Sequence, residues 1–142
     1  MGIKITEINL WNNILEKAEQ GRRTGTGITA LGDVMAALGI KYGSKKSIEF
    51  TEQIYKTLKL GCYTSSVNMA KELGPFPIWD NKKEKDNPFL LRIKEDDPRL
   101  YKDMSEHGRR NIAILTTAPT GTTSMMAYLS EGKHGTTSGI EP

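Results

Sequence analysis

Apolar residues recur along this chain in helical rhythm over most of its length, and in a continuous β-branched run only near its C-terminal end. Ile8, Trp11, Leu15 and Ala18 share one face of a helix predicted over 7–20, with Thr6 as its cap and Gly21 as its stop. Such a short helix is marginal alone and needs something to pack against. A short strand is predicted over 26–31, tightly packed because its glycines carry no side chain, and Asp33 is then expected to cap a helix over 34–38 that Gly39 closes. From Ser44 to Leu73 runs the longest helical stretch, with Ile48, Tyr55, Leu58, Cys62, Met69 and Leu73 forming one apolar stripe and Gly61 a possible kink. Gly74, Pro75 and Pro77 end it in an extended exit that leaves Phe76, Ile78 and Trp79 for burial. The charged segment 80–97 reads as a solvated loop. Asp97-Pro98 supplies a cap and a first-turn proline for a helix that Gly108 closes, and His107 suits that helix's negative end.

The run Asn111-Ile112-Ala113-Ile114-Leu115-Thr116-Thr117-Ala118 is the clearest strand pattern, and Pro119 ends it because proline cannot donate to a ladder. A hydroxyl-rich turn follows, Thr120-Gly121-Thr122-Thr123-Ser124, opening an apolar run from Met125 to Leu129. A strand passing through such a turn into a helix leaves free N–H groups pointing one way. The hydroxyls add donors, and Gly121 admits close approach to the backbone, so the turn has the makings of a phosphate cradle. The competing reading, equally weighted on local chemistry, is that Thr123 or Ser124 only caps the helix. Arg109 and Arg110 stand at the other end of the strand and are not read as phosphate ligands.

Composition narrows the class. A chain of 142 residues is ordinarily one domain, and no run of eighteen apolar residues or signal-peptide core is present. A formal charge of +3 favours anions slightly and is far from the signature of a nucleic-acid binder. The single cysteine, Cys62, suits a reducing, cytoplasmic setting and reads as a small buried hydrophobe. His107 and His134 stand apart, so no metal cluster is expected, and His134 reads as solvated in its glycine- and threonine-rich loop. Gly25-Thr26-Gly27 could suggest a dinucleotide turn, but no strand precedes it, and that reading is discarded.

Four stretches resemble, in order, blocks of the catalytic subunit of ribonucleotide reductases. They are Arg22-Arg23-Thr24-Gly25-Thr26-Gly27-Ile28-Thr29-Ala30-Leu31-Gly32-Asp33, Gly74-Pro75-Phe76-Pro77, Arg110-Asn111 through Ser124, and Ser138-Gly139-Ile140-Glu141-Pro142. The resemblance implies an α/β fold, part of a ten-stranded α/β barrel, with residues 1–142 a single fragment of the barrel domain. It also implies that Thr120, Gly121, Thr122, Thr123 and Ser124 hold the phosphates of the substrate nucleotide. The family's radical-site motif, Asn-x-Cys-x-Glu, does not occur here, nor does a cysteine pair or the allosteric nucleotide site. The implied role is therefore one piece of a split catalytic subunit, working with other reductase chains that carry the radical site and the C-terminal cysteines. The alternative is a non-catalytic assembly or regulatory module. An excised segment would fit as well, although stopping at Pro142 favours the split product. Ile28 to Asp33 look somewhat more like the adenosylcobalamin-dependent branch, which makes that cofactor an expectation for the assembled enzyme, with none bound by this chain.

Overall fold

The computed structural model describes residues 5–119 together with Gly121 and Thr123. Its described residues form six α-helices, here α1 (Ile5–Gly21), α2 (Leu31–Ala37), α3 (Lys45–Leu73), α4 (Asn81–Glu84), α5 (Pro88–Asp96) and α6 (Pro98–His107). They fall into two compact units, the first drawn from Met1–Gly25 and Leu60–Ile114, the second from Thr26–Lys59 and Leu115–Pro142.

The first unit is built on the C-terminal part of α3. Tyr63, Ser66, Val67 and Ala70 are its buried positions, spaced three, four and seven apart on one face. Phe76, Leu90, Ile93, Leu100, Met104 and Ile114 complete the core, and α5 packs against α6. The Tyr63 and Phe89 rings meet tilted at 47° with centroids 5.3 Å apart. Helix α6 starts as its residues dictate: the Asp97 carboxylate accepts from the N–H groups of Arg99 and Leu100 at 3.0 Å, and Pro98 gives up an N–H that no helix start could use. Gly108 ends it at φ 70°, ψ −162°, a conformation essentially confined to glycine.

The second unit holds α2 and the first turns of α3, with Met35, Ile40 and Ser47 buried. Ser44 caps α3, its hydroxyl accepting from the Ser47 N–H at 3.2 Å. Ala30 precedes α2 in the left-handed region at φ 66° and offers no side-chain cap.

Several expectations are corrected here. The α/β barrel does not appear: the described residues are mostly helical and hold no strand, only an isolated parallel bridge between Thr26 and Leu115. Over 26–31 the residues that follow Thr26 make no further bridge, and α2 already begins at Leu31. Over 111–118 the run is extended in part, but its backbone groups are shared among single partners. Ile112 donates to the Gly21 carbonyl, and the Ala113 carbonyl accepts from the Thr24 N–H. Segment 80–97 is not a loop. Its charge masked Asn87-Pro88, a cap and first-turn proline, followed by Leu90 and Ile93, which α5 buries.

Asp33 lies within the first turn of α2 and is not its cap, and Thr6 lies inside α1. Helix α3 runs unbroken through Gly61. Its predicted stripe is rotated: Ile48, Met69 and Leu73 are exposed, while the serines Ser47 and Ser66 are buried because their hydroxyls find hydrogen-bond partners.

Candidate functional site

The segment that leads toward the hydroxyl-rich turn begins where α6 stops, and within the first unit its polar side chains make structural contacts. Arg109 is buried and forms a two-pronged ion pair with Glu84, Nη1 to Oε2 at 2.7 Å and Nη2 to Oε1 at 2.9 Å. Nη2 also donates to the Ile112 carbonyl at 3.1 Å, and the guanidinium lies 5.2 Å from the centre of the Phe76 ring. Planar, two-pronged geometry of this kind is what arginine offers and lysine cannot. Arg110 donates through Nη1 to the carbonyls of Leu73 and Gly74 at 2.8 and 3.0 Å, meeting acceptors that the end of α3 leaves open. Both arginines thus serve the structure, with Arg109 Nε buried and without a hydrogen-bond partner among the described residues.

Asn111 binds on both sides of its amide. Its Oδ1 accepts from the Ser66 hydroxyl at 2.9 Å, and its Nδ2 donates to the Arg22 carbonyl at 2.8 Å. Arg22 itself sits at φ 47°, a left-handed conformation uncommon for a residue with a side chain. Sequence reading missed both clusters, because Glu84 lay in a segment taken for solvent and Ser66 looked like an ordinary helix-surface serine.

In the second unit, the Thr116 N–H donates to the Thr26 carbonyl at 3.0 Å beside the Thr26–Leu115 bridge. A Cβ at Gly27 would lie 2.5 Å from the Thr116 carbonyl oxygen, closer than real atoms approach, so the two backbones meet where only glycine fits. Thr116, Thr117, Ala118 and Pro119 are exposed. Of the predicted phosphate ligands, Gly121 and Thr123 are described: both have helical backbone, Gly121 half-buried and Thr123 exposed. A Cβ at Gly121 would meet nothing within 4 Å. Thr120, Thr122 and Ser124 lie outside the described residues, as do the helix expected after them and His134.

Elsewhere in the second unit, a cavity of about 500 Å³ is lined by Leu31, Met35, Tyr42, Ser47, Ile48 and Glu52 among others. A second, of about 410 Å³, is lined by Ile28, Phe50, Ile54 and Leu58 with Gln53 and Thr57. Both are mostly apolar, and the Ser47 and Thr57 hydroxyls are occupied with carbonyls one turn back. Cys62 is half-buried. Burial pushes the Tyr63 phenol above its ordinary value, and the hydrogen bond from Lys71 holds the Asp103 carboxyl below the usual carboxylate range. Among the described residues no group of three His, Cys, Asp or Glu side chains could hold a metal, and no helix is long and apolar enough to cross a membrane.

The family model described as "Ribonucleotide reductase, barrel domain" matches residues 4–142, and the chain belongs to that family. It is similar to the "Vitamin B12-dependent ribonucleoside-diphosphate reductase" of Mycobacterium tuberculosis (strain CDC 1551 / Oshkosh), at 31% identity over 127 residues, covering 89% of this chain and 15% of that protein. The "Ribonucleoside-diphosphate reductase subunit alpha" of Treponema pallidum is 27% identical over 124 residues, 85% of this chain and 14% of that protein. The large subunit of human herpesvirus 8 type P is 27% identical over 131 residues, 82% and 16% respectively. The chain thus spans only about one seventh of the length of these relatives.

Proposed function

We propose that this chain supplies the substrate-phosphate subsite of a ribonucleotide reductase catalytic subunit, the radical cysteine being carried by another chain. Thr120, Gly121, Thr122, Thr123 and Ser124 form the cradle. The observation that carries the reading is the pairing of Thr116 with Thr26, closed over by Gly27 with no room for a side chain. It fixes the backbone four residues before the turn, which is what a positioned phosphate site needs. Helical backbone at Gly121 and Thr123 supports a turn whose N–H groups point one way. The contacts of Arg109 with Glu84 and of Arg110 with the end of α3 give both arginines structural roles, in keeping with a cradle built from the turn's own hydroxyls and N–H groups.

The physical division of labour follows from magnitudes. A helix end contributes about 0.3–1 kcal/mol toward an anion, whereas a hydrogen bond to a charged oxygen contributes about 1.5–3 kcal/mol. Most binding therefore comes from the hydroxyl and backbone donors. By holding the phosphates, the cradle places the ribose against the radical cysteine, a proximity contribution to rate. The relatives' names favour a ribonucleoside diphosphate over a triphosphate.

Adenosylcobalamin is the proposed radical source of the assembled enzyme, after the Mycobacterium tuberculosis relative. Among the described residues, those lining the two large cavities of the second unit include no histidine, lysine or arginine to meet a metal centre or a nucleotide phosphate. These residues do not fit the cofactor, which is assigned to polypeptide outside this chain.

The test is Thr122→Val with Thr123→Val in the assembled enzyme. Loss of two donors to a charged group raises the substrate KM tenfold or more, about 1.4 kcal/mol. An unchanged KM removes the cradle assignment. Mass spectrometry of what co-purifies from the native source tests the partner arrangement, the expected companion carrying Asn-x-Cys-x-Glu.

A further inference from the structure

Helix α1 presents a surface that the other described residues leave uncovered. Every residue from 7 to 19 is exposed, and burial begins only at Gln20 and Gly21. Leu10, Ile14, Trp11, Leu15 and Ile8 fall, at about 100° per residue, within an arc of roughly 160°, with Glu7, Ala18 and the buried Gly21 between them. Trp11 is 66% exposed and Leu15 57%. The opposite side is satisfied within itself: Gln20 Nε2 donates to Glu16 Oε1 at 2.8 Å, and Lys17 Nζ donates to Gln20 Oε1 at 3.1 Å. One side is thus finished for water and the other is not. An isolated helix of seventeen residues is only marginally stable in water, and the stabilisation of such helices comes from covering the apolar face.

We propose that the apolar arc of α1 is a docking face, and that its occupant is an apolar surface of the reductase polypeptide outside these 142 residues. The inference rests on the reading given under Proposed function. Two observations select this occupant. The relatives are about seven times as long as the matched region, so a family member of this kind works alongside a much larger body of protein. The polar side carries Glu16 and Glu19 against a single Lys17, the reverse of the lysine- and arginine-rich face that a helix lying on an anionic bilayer shows.

The experiment places the photo-crosslinking residue p-benzoylphenylalanine at position 11, and at position 13 on the polar side as control, in the enzyme purified with its companions. Peptide mass spectrometry then identifies what is joined. The expected result is a crosslink from position 11, and none from position 13, to a peptide outside this sequence. A crosslink to a second copy of this chain, to this chain's own residues, or none at all overturns the proposal, as does flotation of the chain with phosphatidylglycerol vesicles. In a parallel measurement, Trp11→Glu with Leu15→Glu lowers recovery of the companion at least tenfold, while Asn13→Glu leaves it unchanged and all variants keep the wild-type circular dichroism. If the wild-type chain recovers a reductase companion and the double variant recovers it equally, the docking face is refuted and the reductase reading stands. If the wild type recovers no companion with reductase sequence, it is the reductase reading that fails.

Discussion

Replacing Glu84 with glutamine tests whether the Arg109 ion pair holds the first unit together. The Arg109 side chain is 5% exposed and that of Glu84 18%, so both charges are largely out of water. Removing one partner of such a pair leaves the other buried and uncompensated, at a cost of about 3–5 kcal/mol. Glutamine still offers Arg109 one acceptor, and the Ile112 carbonyl and Phe76 ring remain, which puts the expected loss near about 3 kcal/mol. In urea unfolding followed by circular dichroism, with a slope of about 2 kcal/mol per molar, the midpoint falls by about 1.5 M. The double variant Glu84→Leu with Arg109→Met removes both charges and keeps the volume, and is expected within about 1 kcal/mol of wild type. The sign of the comparison matters most. A loss below about 1 kcal/mol for Glu84→Gln, or a double variant as unstable as the single one, refutes the claim that uncompensated charge is what destabilises.

Three further outcomes concern the same unit. Gly108→Ala places a Cβ 2.7 Å from the Pro75 Cβ and 2.9 Å from Trp79 Cδ2 at a glycine-only backbone conformation, and thermal melting should show a loss of about 2–4 kcal/mol. Gly61→Ala, where a Cβ meets nothing within 4 Å in mid-helix, should gain about 0.5–1 kcal/mol, and equal effects at the two sites would contradict the geometry. Burial raises the Tyr63 pKa above its ordinary 10.0, so the folded state favours the neutral phenol. Its contribution is fully present below pH 10 and is lost as pH rises through the raised folded value. A Tm profile from pH 9 to 12 should fall less steeply for Tyr63→Phe, and superimposable profiles would exclude Tyr63 as the titrating group.

What the sequence made legible was what neighbouring residues decide. Asp97-Pro98, Ser44, Gly74 and Gly108 were read at their structural roles, because a cap or a helix stop is settled within one turn. Misreadings arose where a distant partner decides. Ser66 is buried only because Asn111 meets it, and the stripe on α3 rotates accordingly. The charge of 80–97 outweighed Asn87-Pro88, although Leu90 and Ile93 stand at helical spacing in plain view. The run 111–118 has strand chemistry, yet strand chemistry without a row of partners gives a single bridge. For the candidate site, the glycine block and the threonine run were both noticed as motifs. That Gly27 lies against Thr116 could not be read from either, since close backbone approach leaves no mark in hydrophobic pattern.

Asn111 also sets the order in which the chain can mature. Its amide reaches back 89 residues to Arg22 and 45 to Ser66, so the turn after α1 is not tied down until residue 111 has been made. At ordinary rates of synthesis that delay is roughly 5–20 s. Throughout it, Ile8, Trp11 and Leu15 are already synthesised and exposed. A late-closing, long-range contact thus leaves α1 waiting, its apolar side uncovered, while the residues that fix the turn after it are still being made.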